Sequence, residues 1–225
     1  MPTDQELIKI VPPRRQLAYQ ATEFYAFFHF GMNTYTNREW GDGTETPQIF
    51  NPTEFVADQW VSAAQNAGMK GVILTCKHHD GFCLWDTQTT DFKAPNTKAG
   101  RDLIREYVDA VRAEGLKVGL YYSIIDWYHE DFPHYGDRQH PMRNHPECSN
   151  ENRDFNRYLT YMHEQVRELC SNYGKIDVLW FDFSYDNLRG EAWKATELIT
   201  MVRSLQPDVI IDNRLECSGE GFGSL

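Results

Sequence analysis

The 225-residue chain lacks any apolar run approaching the ~18 consecutive residues of a membrane-spanning helix. Its first ten residues, MPTDQELIKI, have neither a basic start nor an apolar core, so they are unlike a secretory signal. We therefore expect a cytoplasmic protein that has no membrane as a partner.

Basic residues are scarce relative to acidic ones. The 22 Lys and Arg residues face 33 Asp and Glu residues, which gives a formal net charge of −11. A chain of this sign repels phosphate backbones, so we do not expect nucleic acid as a partner.

Cysteine is also limited, with five residues and no CxxC pair. Cys76 and Cys83 are not at a usual zinc-binding spacing, so we expect mostly free thiols in a reducing compartment. The two common glycine-rich phosphate motifs, GxGxxG and GxxxxGK[ST], do not follow any apolar run, which disfavours a nucleotide-binding site.

Aromatic residues, in contrast, are abundant, with 6 Trp, 12 Tyr and 13 Phe. Core packing accounts for many of them. Flat amphipathic rings also line clefts that bind sugars, because they offer an apolar face with a polar edge.

Apolar runs alternate with helical stripes along the chain. The runs predict buried strands, and the stripes, ended by Gly68, Gly115, Gly174 and Pro207, predict helices. Asn51-Pro52 resembles the start of the first helix. The strands are predicted at 24–31, 71–76, 117–123, 175–183 and 209–212, and the helices around 52–67, 104–114, 155–173 and 195–206. Five strands alternating with four helices predict a parallel α/β sheet.

The segments that follow the strands are long and polar, whereas the turns that follow the helices are short. Sites in (β/α)8 barrels and in doubly wound sheets both lie at the carboxyl ends of the strands, so this asymmetry fits either architecture. A complete barrel needs about 250 residues. In the barrel interpretation, we expect residues 1–225 to be its first part.

Polar and titratable residues end each predicted strand. They are His29, His78, His79, Tyr121, Ser123, Asp126, Asp182, Asp212 and Arg214. Asp182 follows a buried apolar run, and its carboxylate can serve as a nucleophile, a base or a metal ligand, or it can cap a turn or pair with a cation.

The His78-His79 pair has a similar range of roles. It can bind a metal or hydrogen-bond to hydroxyl groups, or the two residues can be structural and solvent-facing. Because neighbours in a strand point to opposite faces, simple strand geometry does not direct both side chains to one ion. The same alternation places Tyr121 with Ser123 on the face opposite the helices.

Several motifs in order make the chain recognisable. They are HFGMNTYTNREWGDG, KHHDGFCLW, GLKVGLYYSIIDW, DVLWFDF and IIDNR. Over residues 22–214, the chain resembles the α-L-fucosidases of glycoside hydrolase family 29. The resemblance implies a (β/α)8 TIM-like barrel, of which this chain has the first five strands and four helices, with the rest of the barrel and a C-terminal β-sandwich lying outside it.

The resemblance also implies a function. It implies a bacterial-type enzyme that removes terminal α-L-fucose from oligosaccharides or glycoconjugates with retention, using no metal or cofactor. Asp182 matches the family's nucleophile. Glu216 and Glu220 are candidates for the acid/base, which can also lie beyond Leu225. The residues that match the sugar-binding positions are His29, Glu39, Trp40, His78, His79, Tyr121 and Arg214.

Two other functions stay open. One is a fucose-binding protein that keeps the sugar pocket but does not hydrolyse. The other is a metal-dependent barrel hydrolase that uses His78, His79 and Asp182. Assembly into a homo-oligomer is compatible with each.

Overall fold

The computed structural model describes residues 12–133, 140–141, 143–145, 149–182 and 188–215. Five parallel strands form one sheet within these ranges, hydrogen-bonded to one another in chain order. They are β1 (Ala26–Phe28), β2 (Gly71–Lys77), β3 (Lys117–Ser123), β4 (Val178–Asp182) and β5 (Ile210–Ile211). The predicted parallel α/β sheet is confirmed, although β1, β4 and β5 are shorter than predicted.

Six α-helices accompany the strands in the described ranges. They are α1 (Arg14–Gln20), α2 (Met32–Thr36), α3 (Ala57–Asn66), α4 (Leu103–Ala113), α5 (Phe155–Asn172) and α6 (Ala195–Leu205). The expected count of four omits α1 and α2, since α1 buries no residue and α2 is five residues long, so neither carries an apolar stripe. None of the helices found there is both long and apolar enough to cross a membrane.

The start of α3 differs from the prediction. The helix begins at Ala57 and not at Asn51-Pro52, and no side chain caps it. The preceding segment stays non-helical while Phe55 packs against the rings of Phe30 and Trp60, with centroids 5.7 and 4.9 Å apart. Burial of the Phe55 ring thus outweighs the local capping signal.

The two faces of the sheet pack differently. Val118, Leu120 and Tyr122 belong to the large core that contains the buried residues of α3 to α6, whereas Tyr121 packs with Ile73 in a smaller cluster. The predicted alternation in β3 is therefore confirmed. A doubly wound sheet has helices on both faces and a reversal of strand order. Within the described residues, the four longer helices pack on one face and the strand order is 1-2-3-4-5, which does not fit that alternative.

Helix α1 lies against the amino-terminal end of the smaller cluster. Tyr19 in α1 donates its hydroxyl hydrogen bond to Tyr25 (2.9 Å), just before β1. The ammonium of Lys117 donates to the carbonyl of Ala18 and the hydroxyl of Thr22, at 2.8 and 2.7 Å. These contacts hold α1 against the amino ends of the strands.

A buried ion pair links the end of β2 to the loop after β3. The Nζ of Lys77 lies 2.9 Å from Oδ2 of Asp126, and both side chains are almost fully buried. The other Asp126 oxygen accepts hydrogen bonds from the backbone N–H groups of Tyr128 and His129. At Gly81 (φ +80°), a Cβ would lie 2.3 Å from that same oxygen, so only glycine allows this approach.

The cysteines that the structure describes are Cys76, Cys83 and Cys170, and all three are buried free thiols. Burial raises the pKa of Cys170 to about 12, so its thiol stays protonated. The other two, Cys148 and Cys217, lie outside the described residues.

Candidate active site

Asp182 is the last residue of β4 and lies opposite Ser123 in the sheet register. The hydroxyl of Tyr121 donates a 2.6 Å hydrogen bond to its Oδ2. Nη1 of Arg214, which follows β5, lies 3.6 Å from Oδ1, and the Asp182 side chain is 17% exposed. The carboxylate is thus oriented by two partners from neighbouring strands and is still accessible.

Tyr121 acts as a hydrogen-bond donor in this pair. Its side chain is 4% exposed, and burial raises its pKa well above the usual value, with a further rise caused by the Asp182 charge. The phenol therefore stays protonated, as a donor to a carboxylate must.

Three histidine rings lie next to this carboxylate. The centroids of His29 and His78 are 4.5 Å apart, those of His78 and Tyr121 are 5.9 Å apart, and those of His78 and His79 are 3.9 Å apart with an interplanar angle of 33°. The rings of His78 and His79 thus lie side by side and not on opposite faces, where strand alternation would place them. Both residues follow the end of β2, after a register shift between Thr75 and Lys77, so strand alternation does not apply.

Burial disfavours the charged form of each of these histidines. It lowers the pKa of His78 to about 3 and that of His79 well below its usual value. The pKa of His29 is lowered by partial burial, an effect that the charges of Asp182 and Glu39 oppose. Neutral imidazoles are the result, and each offers one donor nitrogen and one acceptor nitrogen.

A cavity of about 350 Å³ opens beside these rings, lined in part by His29, Glu39, Trp40 and His78. The Trp40 ring lies 6.1 Å from the His79 ring. His79 is itself only 1% exposed, packed between Trp40 and Trp127. Polar groups and flat rings thus surround a space that suits a small polar ligand.

The structure brings eight of the nine predicted site residues into one cluster. They are His29, Glu39, Trp40, His78, His79, Tyr121, Asp182 and Arg214. The ninth, Glu216, lies outside the described residues, as does Glu220. Among the residues that are described, no three His, Cys, Asp or Glu side chains are grouped so that they could hold a metal ion.

Two polar residues that contact the histidines were not predicted as site residues. Nδ2 of Asn33 lies 3.2 Å from Nδ1 of His78, and the hydroxyl of Ser123 lies 2.7 Å from Nδ1 of His79. Ser123 shares the strand alternation of Tyr121, which is a usable signal. Asn33 lies 45 residues before its partner, and no local pattern reports that contact.

Comparison with known proteins gives consistent matches. The sequence model of the family described as alpha-L-fucosidase matches residues 14–222. Alpha-L-fucosidase 1 of Arabidopsis thaliana is 34% identical over 209 residues, which cover 89% of this chain and 37% of that protein.

Solved structures are similar over the same part of the chain. Alpha-L-fucosidase isoenzyme 1 from Paenibacillus thiaminolyticus superposes with a TM-score of 0.85 and 55% identity, covering 90% of this chain and 50% of that one. A glycoside hydrolase 29 family member from an unknown rumen bacterium gives a TM-score of 0.75 and 36% identity, and the match covers 89% of this chain and 35% of that one. The chain spans about a third to a half of the length of these relatives, and it belongs to the α-L-fucosidase family.

Proposed function

We propose that the protein acts as a retaining exo-α-L-fucosidase, which hydrolyses terminal α-L-fucose from oligosaccharides or glycoconjugates through a covalent fucosyl intermediate on Asp182. The observation that carries the proposal is the Asp182 carboxylate at the carboxyl end of β4, held by Tyr121 at 2.6 Å and Arg214 at 3.6 Å beside three histidine rings.

Asp182 would attack the anomeric carbon and form an ester as the aglycone oxygen departs. Tyr121 and Arg214 restrict the orientation of the carboxylate, so that one oxygen faces the sugar at little entropic cost. Neutral His29, His78 and His79, together with Glu39 and Trp40, would meet the sugar hydroxyls, and the aromatic rings would contact the apolar 6-methyl group.

Retention needs a second carboxyl group about 5–5.5 Å from the first. It protonates the departing oxygen and then activates water. We propose Glu216 as a candidate for this role, with Glu220 or a glutamate beyond Leu225 as the alternatives. Azide rescue of Glu216→Ala, together with failure to rescue Glu220→Ala, would assign the role to Glu216.

We also propose that residues 1–225 form the first part of a (β/α)8 barrel. The sequential strand order and the helices on one face are typical of that fold. An apolar groove of about 680 Å³ runs along β1 and α3, lined by Phe28, Trp60 and Ala63 among others, and Phe27 is 39% exposed. A closing strand and helix of the same barrel would cover this surface.

The test is Asp182→Ala in the full chain, assayed with an aryl α-L-fucoside. We expect kcat to fall at least about 10³-fold, because the covalent path is removed. Asp109→Asn, on the exposed face of α4, is the matched control and should keep full activity. Mass spectrometry after incubation with a 2-deoxy-2-fluoro fucosyl donor should locate the adduct on Asp182.

Two outcomes would contradict the proposal. An adduct on a different carboxylate would reject Asp182 as the nucleophile. Tight binding of L-fucose without release of fucose from any substrate would indicate a fucose-binding protein instead.

A further inference from the structure

We infer that Asn33 and Ser123 fix opposite tautomers on the adjacent histidines, so that His78 offers a donor at Nε2 and His79 an acceptor at Nε2. The assignment of polarity follows from hydrogen-bond geometry alone. Its consequence for sugar recognition rests on the proposed fucosidase function.

The orientation of the Asn33 amide is set by a backbone carbonyl. Its Nδ2 lies 3.0 Å from the carbonyl oxygen of Glu39, which can only accept, so the amide nitrogen and not the oxygen must face it. The same Nδ2 lies 3.2 Å from Nδ1 of His78. A donor faces Nδ1, so Nδ1 must accept, and the ring proton of neutral His78 lies on Nε2.

Ser123 imposes the opposite arrangement. Its Oγ lies 2.7 Å from the carbonyl oxygen of Ile125, an acceptor, so the single hydroxyl proton is committed to that bond. The same oxygen lies 2.7 Å from Nδ1 of His79 and must therefore accept from it. The proton of neutral His79 lies on Nδ1, and Nε2 carries a lone pair.

Both rings stay neutral, which the two tautomers require. The side chains of His78 and His79 are 8% and 1% exposed, and burial lowers the pKa of each. A protonated ring would donate from both nitrogens and would face the Asn33 amide donor with a second donor. The hydrogen-bond partners and the burial therefore both favour the neutral form of the two rings.

The arrangement has a consequence for the ligand. His78 lines the cavity of about 350 Å³, whereas Nε2 of His79 is buried, so the fixed donor of His78 is the one that a ligand in this cavity meets. A sugar hydroxyl therefore meets His78 best as an acceptor. Asn33 is thus a positioning residue that sets the direction of the hydrogen bond to the sugar, and Ser123 fixes the buried ring beside it.

The direct test is the ¹⁵N spectrum of the histidine rings in the full chain, recorded at neutral pH. We expect His78 to show a protonated Nε2 and an unprotonated Nδ1, and His79 to show the reverse. The signals are assigned by the variants Asn33→Leu and Ser123→Ala, each of which removes the partner of one ring. A protonated Nδ1 on His78, or the same tautomer on both rings, would overturn the inference.

Removing the donor gives the second test. Asn33→Leu takes away the amide that faces Nδ1 of His78, so the single tautomer of that ring should be lost. With an aryl α-L-fucoside, kcat/KM should fall about 5- to 100-fold, mainly through KM. Asn66→Leu makes the same change at an exposed position at the end of α3 and should leave activity and tautomers unchanged.

Ser123 has its own conservative control. Ser123→Ala should leave His79 in a mixture of tautomers, whereas Ser123→Thr keeps the hydroxyl and should restore the single tautomer. If Asn33→Leu fails to fold, the wild-type spectrum, with the His79 signals assigned by Ser123→Ala, still decides between the tautomers. If the protein has the inferred tautomers but releases no fucose, only the proposed fucosidase function is rejected. If the protein is an active fucosidase but lacks these tautomers, only the present inference is rejected.

Discussion

The buried Lys77–Asp126 pair gives a sharp test of what holds the site loops in place. Lys77→Met keeps most of the side-chain volume and removes the charge. The Asp126 carboxylate, which is 1% exposed, then stays buried without the ammonium that lies 2.9 Å from it in the wild type. The Lys77 ammonium also lies 4.5 Å from the centre of the Tyr122 ring, an interaction that the methionine loses in part.

The expected cost is about 3–5 kcal/mol of unfolding free energy, the range for breaking a buried pair from one side. For a chain of this size, that corresponds to a fall in Tm of roughly 6–20 °C. Urea unfolding, followed by tryptophan fluorescence, measures this loss of unfolding free energy. We expect a lower urea midpoint with an unchanged m-value.

Two controls make the Lys77 experiment decisive. Arg167→Met breaks the ion pair of Arg167 with Glu164, whose side chains are about half exposed, and should cost less than about 1 kcal/mol. The double variant Lys77→Met/Asp126→Asn removes both charges and should recover part of the loss. A Lys77→Met protein within 1 kcal/mol of the wild type, or a double variant no more stable than the single one, would refute the reasoning.

Two further predictions concern the site and its pH dependence. Tyr121→Phe removes the donor to Asp182 and should lower kcat/KM about 10- to 150-fold in the fucoside assay with little change in the urea midpoint; unchanged kinetics would show that this bond does not orient the carboxylate. Burial, with smaller contributions from the charges of Glu45 and Asp126, raises the pKa of Asp80 to about 7. Asp80 therefore contributes stability that is present below pH 4 and lost as the pH rises towards 7, on the order of a few kcal/mol. Asp80→Asn should remove this loss, so the difference in unfolding free energy between variant and wild type should grow in the variant's favour from pH 4 to 7. A difference that is independent of pH would contradict the assignment. The pKa of His78, lowered to about 3, makes the unfolding free energy rise with pH, opposite to the effect of Asp80. The experiment therefore measures the difference between variant and wild type and not the wild-type curve alone.

The sequence by itself determined the order of strands and helices and the placement of Asp182. Both depend on short-range patterns: continuous apolar runs for buried strands, 3.6-residue stripes for helices, and a polar residue where a strand ends. Strand β3 was predicted at 117–123, the bounds that the structure has. Where the local signal was weak, as in five-residue α2, the prediction failed.

Only the tertiary structure decided how the site residues face one another. The helix α3 starts only at Ala57 because Phe55 is buried against the ring of Phe30, just after β1, and against Trp60 of the helix itself. His78 and His79 lie on one side because the strand ends before them. Their partners, Asn33 and Ser123, come from 45 and 44 residues away. Hydrogen bonds across such separations depend on strand register and packing, which no local periodicity encodes.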